Sequence, residues 1–155
     1  MLQKLKAAVK KIGWKKKEHE FKQTLTVDIY YPDHPPRTES STYRASHRYL
    51  IKTLDLPCEV CGSKENRETH HMFCEWADAE AVDWNKMKRL HPDFNWEQFK
   101  DPEDFVDSTY NLVVLCMDHH RGKDKGIHML PYPIWQAQKF LRDDFVFEPG
   151  ETPKT

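Results

Sequence analysis

The chain has few glycines, few cysteines and no long apolar run. Its 155 residues include five Gly and four Cys, which excludes collagen-like repeats, glycine-rich linkers and a disulfide-dense scaffold. No segment approaches the roughly 18–20 consecutive apolar residues that a membrane-spanning helix needs, so we expect no membrane partner. Aromatic residues make up 12%, which is too many for a disordered chain. The composition therefore predicts one folded domain.

The N-terminal segment lacks the apolar core of a secretory signal. Residues 1–17 are studded with lysine, so we expect the chain to stay in the compartment where it is made. In a reducing compartment, four cysteines favour metal binding or catalysis over disulfide bonding.

Charge is unevenly distributed along the chain, although the net charge is −1. Residues 1–22 hold eight Lys against two Glu, while residues 74–107, here called the acidic insert, hold ten acidic against four basic residues. The lysines could contact phosphates, and a solvated helix face explains them equally well. The acidic insert repels a nucleic-acid backbone, so it would face away from DNA or contact a protein.

Apolar periodicity predicts an α+β chain in three consecutive parts. Residues 1–55 would form a basic helix at 2–17, a strand at 24–31 and a lead-in helix at 41–53. Residues 131–155 would form a C-terminal helix at 133–144 and a tail.

The central part, residues 56–130, would contain the remaining short elements. We expect strands at 68–73 and 111–115 and a helix at 117–125. The acidic insert between the strands would be helical near 75–90 and 95–100.

Two short-spaced pairs of metal-ligating residues predict a structural zinc site. Cys58-x-x-Cys61 and Cys116-x-x-His119 are separated by 54 residues, and each pair falls at a predicted turn. Three thiolates and one imidazole make a normal tetrahedral zinc site. The alternative is that the cysteines are ordinary thiols, but paired spacings of this kind are rarely accidental.

Two pairs of adjacent histidines accompany the predicted zinc site. His70 and His71 would point to opposite sides of a regular strand, so they serve one site only if the strand twists or ends there. His119 and His120 diverge by about 100° on a helix, so one can bind zinc while the other faces elsewhere. Two such pairs are hard to explain as core packing.

These residues resemble the pattern of HNH endonucleases of the ββα-metal class. The matching runs are Cys58-x-x-Cys61, His70-His71-Met72, Asn111-Leu112-Val113-Val114-Leu115-Cys116 and Met117-Asp118-His119-His120-Arg121. They span roughly residues 56–126, and the run from Asn111 to Pro131 is also similar to small phage-encoded HNH proteins. The resemblance implies a zinc-stapled ββα-metal core with an N-terminal helix and strand extension, a helical acidic insert and a C-terminal helix.

The resemblance also implies a role for each matched residue. His71 would be the general base, and Asn111 would hold the loop that bears it. His70 and His120 would bind a catalytic divalent metal such as Mg²⁺, Mn²⁺, Ni²⁺ or Zn²⁺. The structural zinc would be bound by Cys58, Cys61, Cys116 and His119. The last of these is usually Cys, and the 39 residues between His71 and Asn111 exceed a compact core of this class.

Five residues close to His120 are further candidates. Asp124 and His128 could be additional metal ligands, with solvated polar side chains as the alternative. Arg121, Lys123 and Lys125 could bind nucleic-acid phosphates, or could be the positive charge usual at a helix C-terminus.

The leading expectation is a metal-dependent DNA endonuclease or nickase that hydrolyses phosphodiester bonds with a histidine base. One alternative is a catalytically weak or inactive HNH-fold zinc module whose acidic insert binds a protein partner, such as a phage-packaging or host factor. Another is a zinc protein that binds DNA through its basic N-terminus. In each case we expect a cytoplasmic protein, in a bacterial host if it is phage-encoded.

Overall fold

The computed structural model describes residues 37–140. The helix predicted at 2–17, the strand at 24–31 and the chain beyond residue 140 lie outside the described residues. Residues 37–140 form short helices around a two-stranded sheet, which confirms the α+β class. In this range no helix is both long enough and apolar enough to cross a membrane.

Helix α1 spans Ser41–Arg48 and continues as a π-helical turn, Tyr49–Thr53, so the helix predicted at 41–53 is confirmed. The Oγ atom of Ser40 accepts a hydrogen bond of 2.8 Å from the backbone N–H of Tyr43, which satisfies one of the free donors at the start of the helix. Leu50 and Ile51 are buried and pack against the sheet.

The sheet consists of β1, Arg67–His71, paired antiparallel with β2, Leu112–Cys116. Its register sets His70 opposite Val113 and His71 opposite Leu112. Alternate residues of β2 enter two different cores: Leu112 and Val114 pack with α1, whereas Val113 and Leu115 pack on the other side. Because side chains alternate along a strand, β1 also has two functionally distinct faces.

The acidic insert folds around an aromatic core of its own. A 3₁₀ helix at Trp76–Ala81 precedes α2, Trp84–Leu90, and α3, Glu103–Val106. Phe105 and Val106 are fully buried in this core. The helix predicted at 95–100 is wrong, because this stretch forms turns. A helical turn starts only after Pro102, whose ring suits the beginning of a helix.

The last described elements follow β2 directly. Helix α4 spans Met117–Arg121, and α5 spans Tyr132–Ala137 and ends in a 3₁₀ turn, Gln138–Phe140. Helix α4 is shorter than the predicted 117–125, because Gly122 leaves the helical conformation with ψ of 139°. A Cβ atom on Gly122 would lie 2.4 Å from the carbonyl oxygen of Asp118, so only glycine fits this tight exit.

Trp135 anchors α5 to the centre of the fold. Its side chain is fully buried against Cys58, Leu115 and Cys116. The indole Nε1 donates a 2.9 Å hydrogen bond to the carbonyl oxygen of His119. The C-terminal helix therefore packs directly behind the predicted zinc ligands.

Candidate functional site

The four predicted zinc ligands come together from two turns. Cys58 and Cys61 lie on the turn between α1 and β1, where the backbone N–H of Gly62 donates to the carbonyl of Cys58 at 2.9 Å. Gly62 has φ of +72°, a left-handed conformation that glycine adopts without strain. Cys116 and His119 lie at the start of α4, and this helix packs on both strands.

Most distances within this cluster fit a tetrahedral zinc ion. The four ligand atoms all lie within 4.8 Å of one another. The Sγ atoms of Cys61 and Cys116 are 3.8 Å apart, and His119 Nδ1 lies 3.8 Å from Cys58 Sγ and 3.1 Å from Cys116 Sγ. Zn–S and Zn–N bonds of about 2.3 and 2.0 Å at tetrahedral angles place ligand atoms about 3.5–3.8 Å apart, so the two distances of 3.8 Å agree and the contact between Cys116 and His119 is shorter. The cluster could therefore hold a metal such as zinc.

The pKa values of the Cys58, Cys116 and Cys74 thiols differ. Burial raises the pKa of Cys58, but hydrogen bonds from His119 and the backbone outweigh burial and bring it to about 6. Burial and the adjacent Cys58 thiolate raise the pKa of Cys116. Burial, with Asp78 and Glu75, raises the pKa of Cys74 to about 11; this cysteine lies in the core of the acidic insert, outside the cluster.

A second cluster consists of His70 from β1, His120 from α4 and His128 from the loop after α4. One ring nitrogen from each lies within 4.8 Å of the others, and the Nε2 atoms of His120 and His128 are 3.0 Å apart. Nitrogen ligands about 2.1 Å from one metal ion lie about 3.0–3.4 Å from each other. These distances are short enough for the three imidazoles to bind one metal ion.

The chain after α4 folds back and brings His128 to this cluster. The backbone N–H groups of Ile127 and His128 donate to the carbonyls of His119 and His120 at 3.0 and 3.3 Å. Asp124 is exposed and lies outside the three-histidine cluster. Because α4 ends at Arg121, Asp124 does not follow His120 by one helical turn, as the longer predicted helix required.

Glu68 orients His120 toward the cluster. Its Oε2 atom lies 2.6 Å from His120 Nδ1, and Arg121 contacts the other oxygen of the same carboxylate. Burial raises the pKa of Glu68, but these two partners hold it below its usual range. A carboxylate on one ring nitrogen leaves the other to bind a metal. Glu68 was not predicted from the sequence, although its position two residues before His70 on a strand indicates the same face.

His71 lies on the opposite face of β1 and has a different set of partners. Its Nε2 atom is 3.0 Å from Oδ1 of Asp107, and its ring centroid is 5.6 Å from that of Tyr43. The structure thus brings His70 and His120 together with His128 but does not include His71 in that cluster. His71 remains partly accessible, with 21% of its side chain exposed.

Asp107 is a fully buried partner that was not predicted from the sequence. Nη2 of Arg37 donates to both carboxylate oxygens at 2.7 Å, and Ser40 Oγ donates to Oδ2 at 2.5 Å. Burial raises the pKa of Asp107, but hydrogen bonds from His71, Ser40 and Arg37 hold it below its usual range. No local pattern could reveal this contact, because 36 residues separate Asp107 from His71.

Asn111 fastens the loop that follows His71. Its Oδ1 atom accepts hydrogen bonds from the backbone N–H groups of Phe73 and Cys74, at 2.9 and 3.3 Å. Its Nδ2 atom donates to the carbonyls of Cys74 and Val106, at 2.8 and 2.7 Å. The side chain is fully buried, so it ties the end of β1 to the acidic insert.

An open cleft of about 500 Å³ lies beside His71. Its other lining residues are Arg37, Thr38, Glu39, Tyr43, Glu75, Trp76 and Ala77. Of the three basic candidates, Arg121 contacts Glu68, while Lys123 and Lys125 are exposed. A ligand can therefore reach His71 through this cleft.

Comparison with known proteins yields no match: no protein-family model, curated protein or solved structure matches the chain.

Proposed function

We propose that the protein is a metal-dependent DNA endonuclease or nickase with a ββα-metal (HNH) core. This core would consist of β1, β2 and α4, stapled by zinc at the cluster of three cysteines and His119. The observation that carries the proposal is the convergence of the His70, His120 and His128 ring nitrogens within 4.8 Å. Both metal clusters share α4, so a zinc staple would hold the catalytic ligands in position.

The three-histidine cluster supports the metal dependence of this reaction. A divalent cation bound there would polarise a phosphate oxygen and stabilise the charge on the leaving oxygen. Burial and the neighbouring imidazoles of His128, His120 and His71 lower the pKa of His70 to about 4. His70 is therefore neutral at pH 7, which is the state that binds metal.

His71 is the proposed general base that takes a proton from the attacking water. It occupies the last residue of β1, borders the open cleft and is close enough to His70 to influence its pKa. A histidine accepts protons near neutral pH when its ring is oriented by a partner on the other nitrogen. Asn111 would keep the following loop, and with it the base, in place.

DNA is the proposed substrate because the motif resemblance implies it and the basic segments suit it. Residues 1–22, with eight Lys, lie outside the described residues and could bind the phosphate backbone. Lys123 and Lys125 are exposed close to the three-histidine cluster in sequence and could bind phosphates near the reacting bond.

Nicking of supercoiled plasmid by the full zinc-loaded chain tests the proposal. With Mg²⁺, Mn²⁺, Ni²⁺ or Zn²⁺ added, we expect His71→Ala to lower the nicking rate about 100-fold or more, the usual contribution of a general base. Zinc content and melting temperature should stay at the wild-type values.

His47→Ala is the matched control for this experiment. His47 lies on α1 and contacts Thr69 at 3.0 Å, on the same side of β1 as His71 but outside both clusters. We expect this variant to nick at close to the wild-type rate. Absence of cleavage with all four metals, or wild-type cleavage by His71→Ala, would overturn the proposal.

A second candidate function is a zinc-stapled module that binds a protein partner through the acidic insert. It is favoured by the separate aromatic core of the insert and by Leu90, a large apolar side chain that is 59% exposed on it. This candidate predicts no nuclease activity with any of the four metals. It also predicts that Leu90→Glu, but not His71→Ala, abolishes capture of the partner.

A further inference from the structure

We propose that Asp107 is a positioning residue for His71. It would fix the imidazole in the tautomer that carries hydrogen on Nε2, so that the Nδ1 lone pair is free to accept a proton. This inference rests on the proposed function, in which His71 is the general base. It adds a carboxylate–histidine pair, contributed by the end of the acidic insert, to the proposed active site.

The contact between the two side chains determines the tautomer. Asp107 Oδ1 lies 3.0 Å from His71 Nε2, and an ionised carboxylate can only accept hydrogen bonds. The nitrogen facing it must therefore carry the hydrogen. A neutral imidazole has one N–H group, so Nδ1 is the basic atom. Within residues 37–140, no hydrogen bond engages Nδ1 of His71.

Arg37 and Ser40 hold the Asp107 carboxylate in this orientation. Arg37 donates to both oxygens and Ser40 donates to Oδ2, which leaves Oδ1 shared between Arg37 and His71. Asp107 also ends α3, where its backbone N–H donates to the carbonyl of Glu103 at 3.1 Å. Ser40 Oγ also accepts from the backbone N–H of Tyr43 as the cap of α1, so the hydroxyl that donates to the carboxylate is itself held in place.

A purely structural ion pair between Arg37 and Asp107 is the competing explanation. Such a pair would stabilise the fold but would not control which nitrogen of His71 carries the hydrogen. The tautomer of His71 therefore separates the two explanations, whereas stability alone does not.

The tautomer can be measured directly in the full chain loaded with one equivalent of zinc. With ¹⁵N-labelled histidine at pH 8, which is above the ordinary histidine pKa of about 6.5, long-range ¹H–¹⁵N spectra distinguish the two ring nitrogens. The His71 signals are assigned by their disappearance in His71→Gln. We expect hydrogen on Nε2 in the wild-type protein, and a wild-type His71 with hydrogen on Nδ1 would overturn the proposal.

Asp107→Asn tests the cause of this preference, because an amide can donate as well as accept. We expect the variant to lose the preference for hydrogen on Nε2. Its kcat for plasmid nicking should fall on the order of 10–100-fold, as for other partners that orient a catalytic histidine, with little change in KM. Asp93→Asn, an exposed residue of the same insert, should change neither quantity.

The outcomes separate this inference from the proposed function. A chain that cuts no DNA, yet has hydrogen on Nε2 of His71 until Asp107 is replaced, overturns the nuclease and supports the positioning contact. A chain that cuts DNA while Asp107→Asn keeps both the tautomer and the kcat of the wild type overturns the positioning role alone. If Asp107→Asn fails to fold, the wild-type spectrum still decides the tautomer.

Discussion

Two fully buried polar side chains, Asn111 and Asp107, join the acidic insert to the end of β1. The side chain of Asn111 makes its hydrogen bonds with backbone groups. Both carboxylate oxygens of Asp107 accept hydrogen bonds from charged or polar side chains. A buried polar group is costly when it loses a partner. These residues therefore both stabilise the fold and define where His71 lies.

Asn111→Asp tests the first of these side chains. The carboxylate cannot donate, so the carbonyls of Cys74 and Val106 lose their partner and face a buried charge. We expect the free energy of unfolding to fall by about 2–5 kcal/mol, measured by urea denaturation of the zinc-loaded chain. Asn95→Asp, at an exposed turn, is the control and should change it by less than about 0.5 kcal/mol.

Arg37→Met tests the role of the Asp107 side chain, because it leaves the buried carboxylate without its cation. We expect a loss of about 3–5 kcal/mol in the free energy of unfolding. Adding Asp107→Asn to this variant should restore part of that loss, since the uncompensated charge is then removed. Equal and additive losses in the two single variants would show that the pair is not coupled.

At the scale of single residues, the sequence predicts ligands whose partners are close along the chain. The paired spacings of Cys58 with Cys61 and of Cys116 with His119 are of this kind, because a short turn brings each pair together. The Asp107 contact with His71 is different. It depends on how the acidic insert folds, and any of its ten acidic residues could have filled that place.

At the scale of elements, the short helix α4 depends for its stability on the segments packed against it. Helix α4 has five residues, and an isolated helix of that length is not stable in water. The cluster of three cysteines and His119 brings the start of α4 to the Cys58 turn, and Trp135 packs behind both. Bound zinc would therefore be required for the folded state.

Cys58→Ser tests this dependence. Structural zinc contributes about 10 kcal/mol or more to folding in small domains, so we expect the variant to bind no zinc and to unfold. Zinc per chain, measured by elemental analysis, and circular dichroism melting report both effects. Cys74→Ser is the control: it should keep one zinc, because Cys74 lies in a separate core. A folded Cys58→Ser protein with the wild-type melting temperature would rule out the structural role.

The acidic insert shows which element boundaries the sequence could not predict. Several of its acids cap local turns: Asp83 accepts from the backbone of Asn85 and Lys86, and Asp104 accepts from the backbone of Lys100 and Asp101. Aromatic and acidic positions alternate along the insert and a helix was predicted at 95–100, but the aromatics of that stretch pack into the core of the insert from turns. Tertiary packing therefore outweighs local periodicity there.

At the scale of the described molecule, the sheet separates two chemical environments. One face of β1 carries Glu68 and His70 toward α4, and the other carries Thr69 and His71 toward Tyr43 of α1. Strand β1 ends at His71, beside the open cleft. The alternation of side chains was predictable, but His128, the third histidine of the cluster, was one of two candidate further ligands, with Asp124 as the other.

Removing the N-terminal positive charge tests how the whole chain binds DNA. We expect replacement of Lys10, Lys11, Lys15, Lys16 and Lys17 by Gln in the full chain to weaken binding and to reduce its salt dependence, by about one unit of slope for each phosphate that is no longer neutralised. Fluorescence anisotropy at several salt concentrations measures both. An unchanged slope would show that DNA binding does not use these lysines.

The dependence of plasmid nicking on added divalent metal tests the three-histidine site most directly. Wild type, His128→Ala and the control His47→Ala are compared, each carrying one zinc per chain. We expect saturable activation of wild type and His47→Ala by at least one of Mg²⁺, Mn²⁺, Ni²⁺ or Zn²⁺, and at least about tenfold less activity of His128→Ala at subsaturating metal. No activation by any of these metals, or identical metal dependence in His128→Ala and wild type, would contradict a catalytic metal at this site.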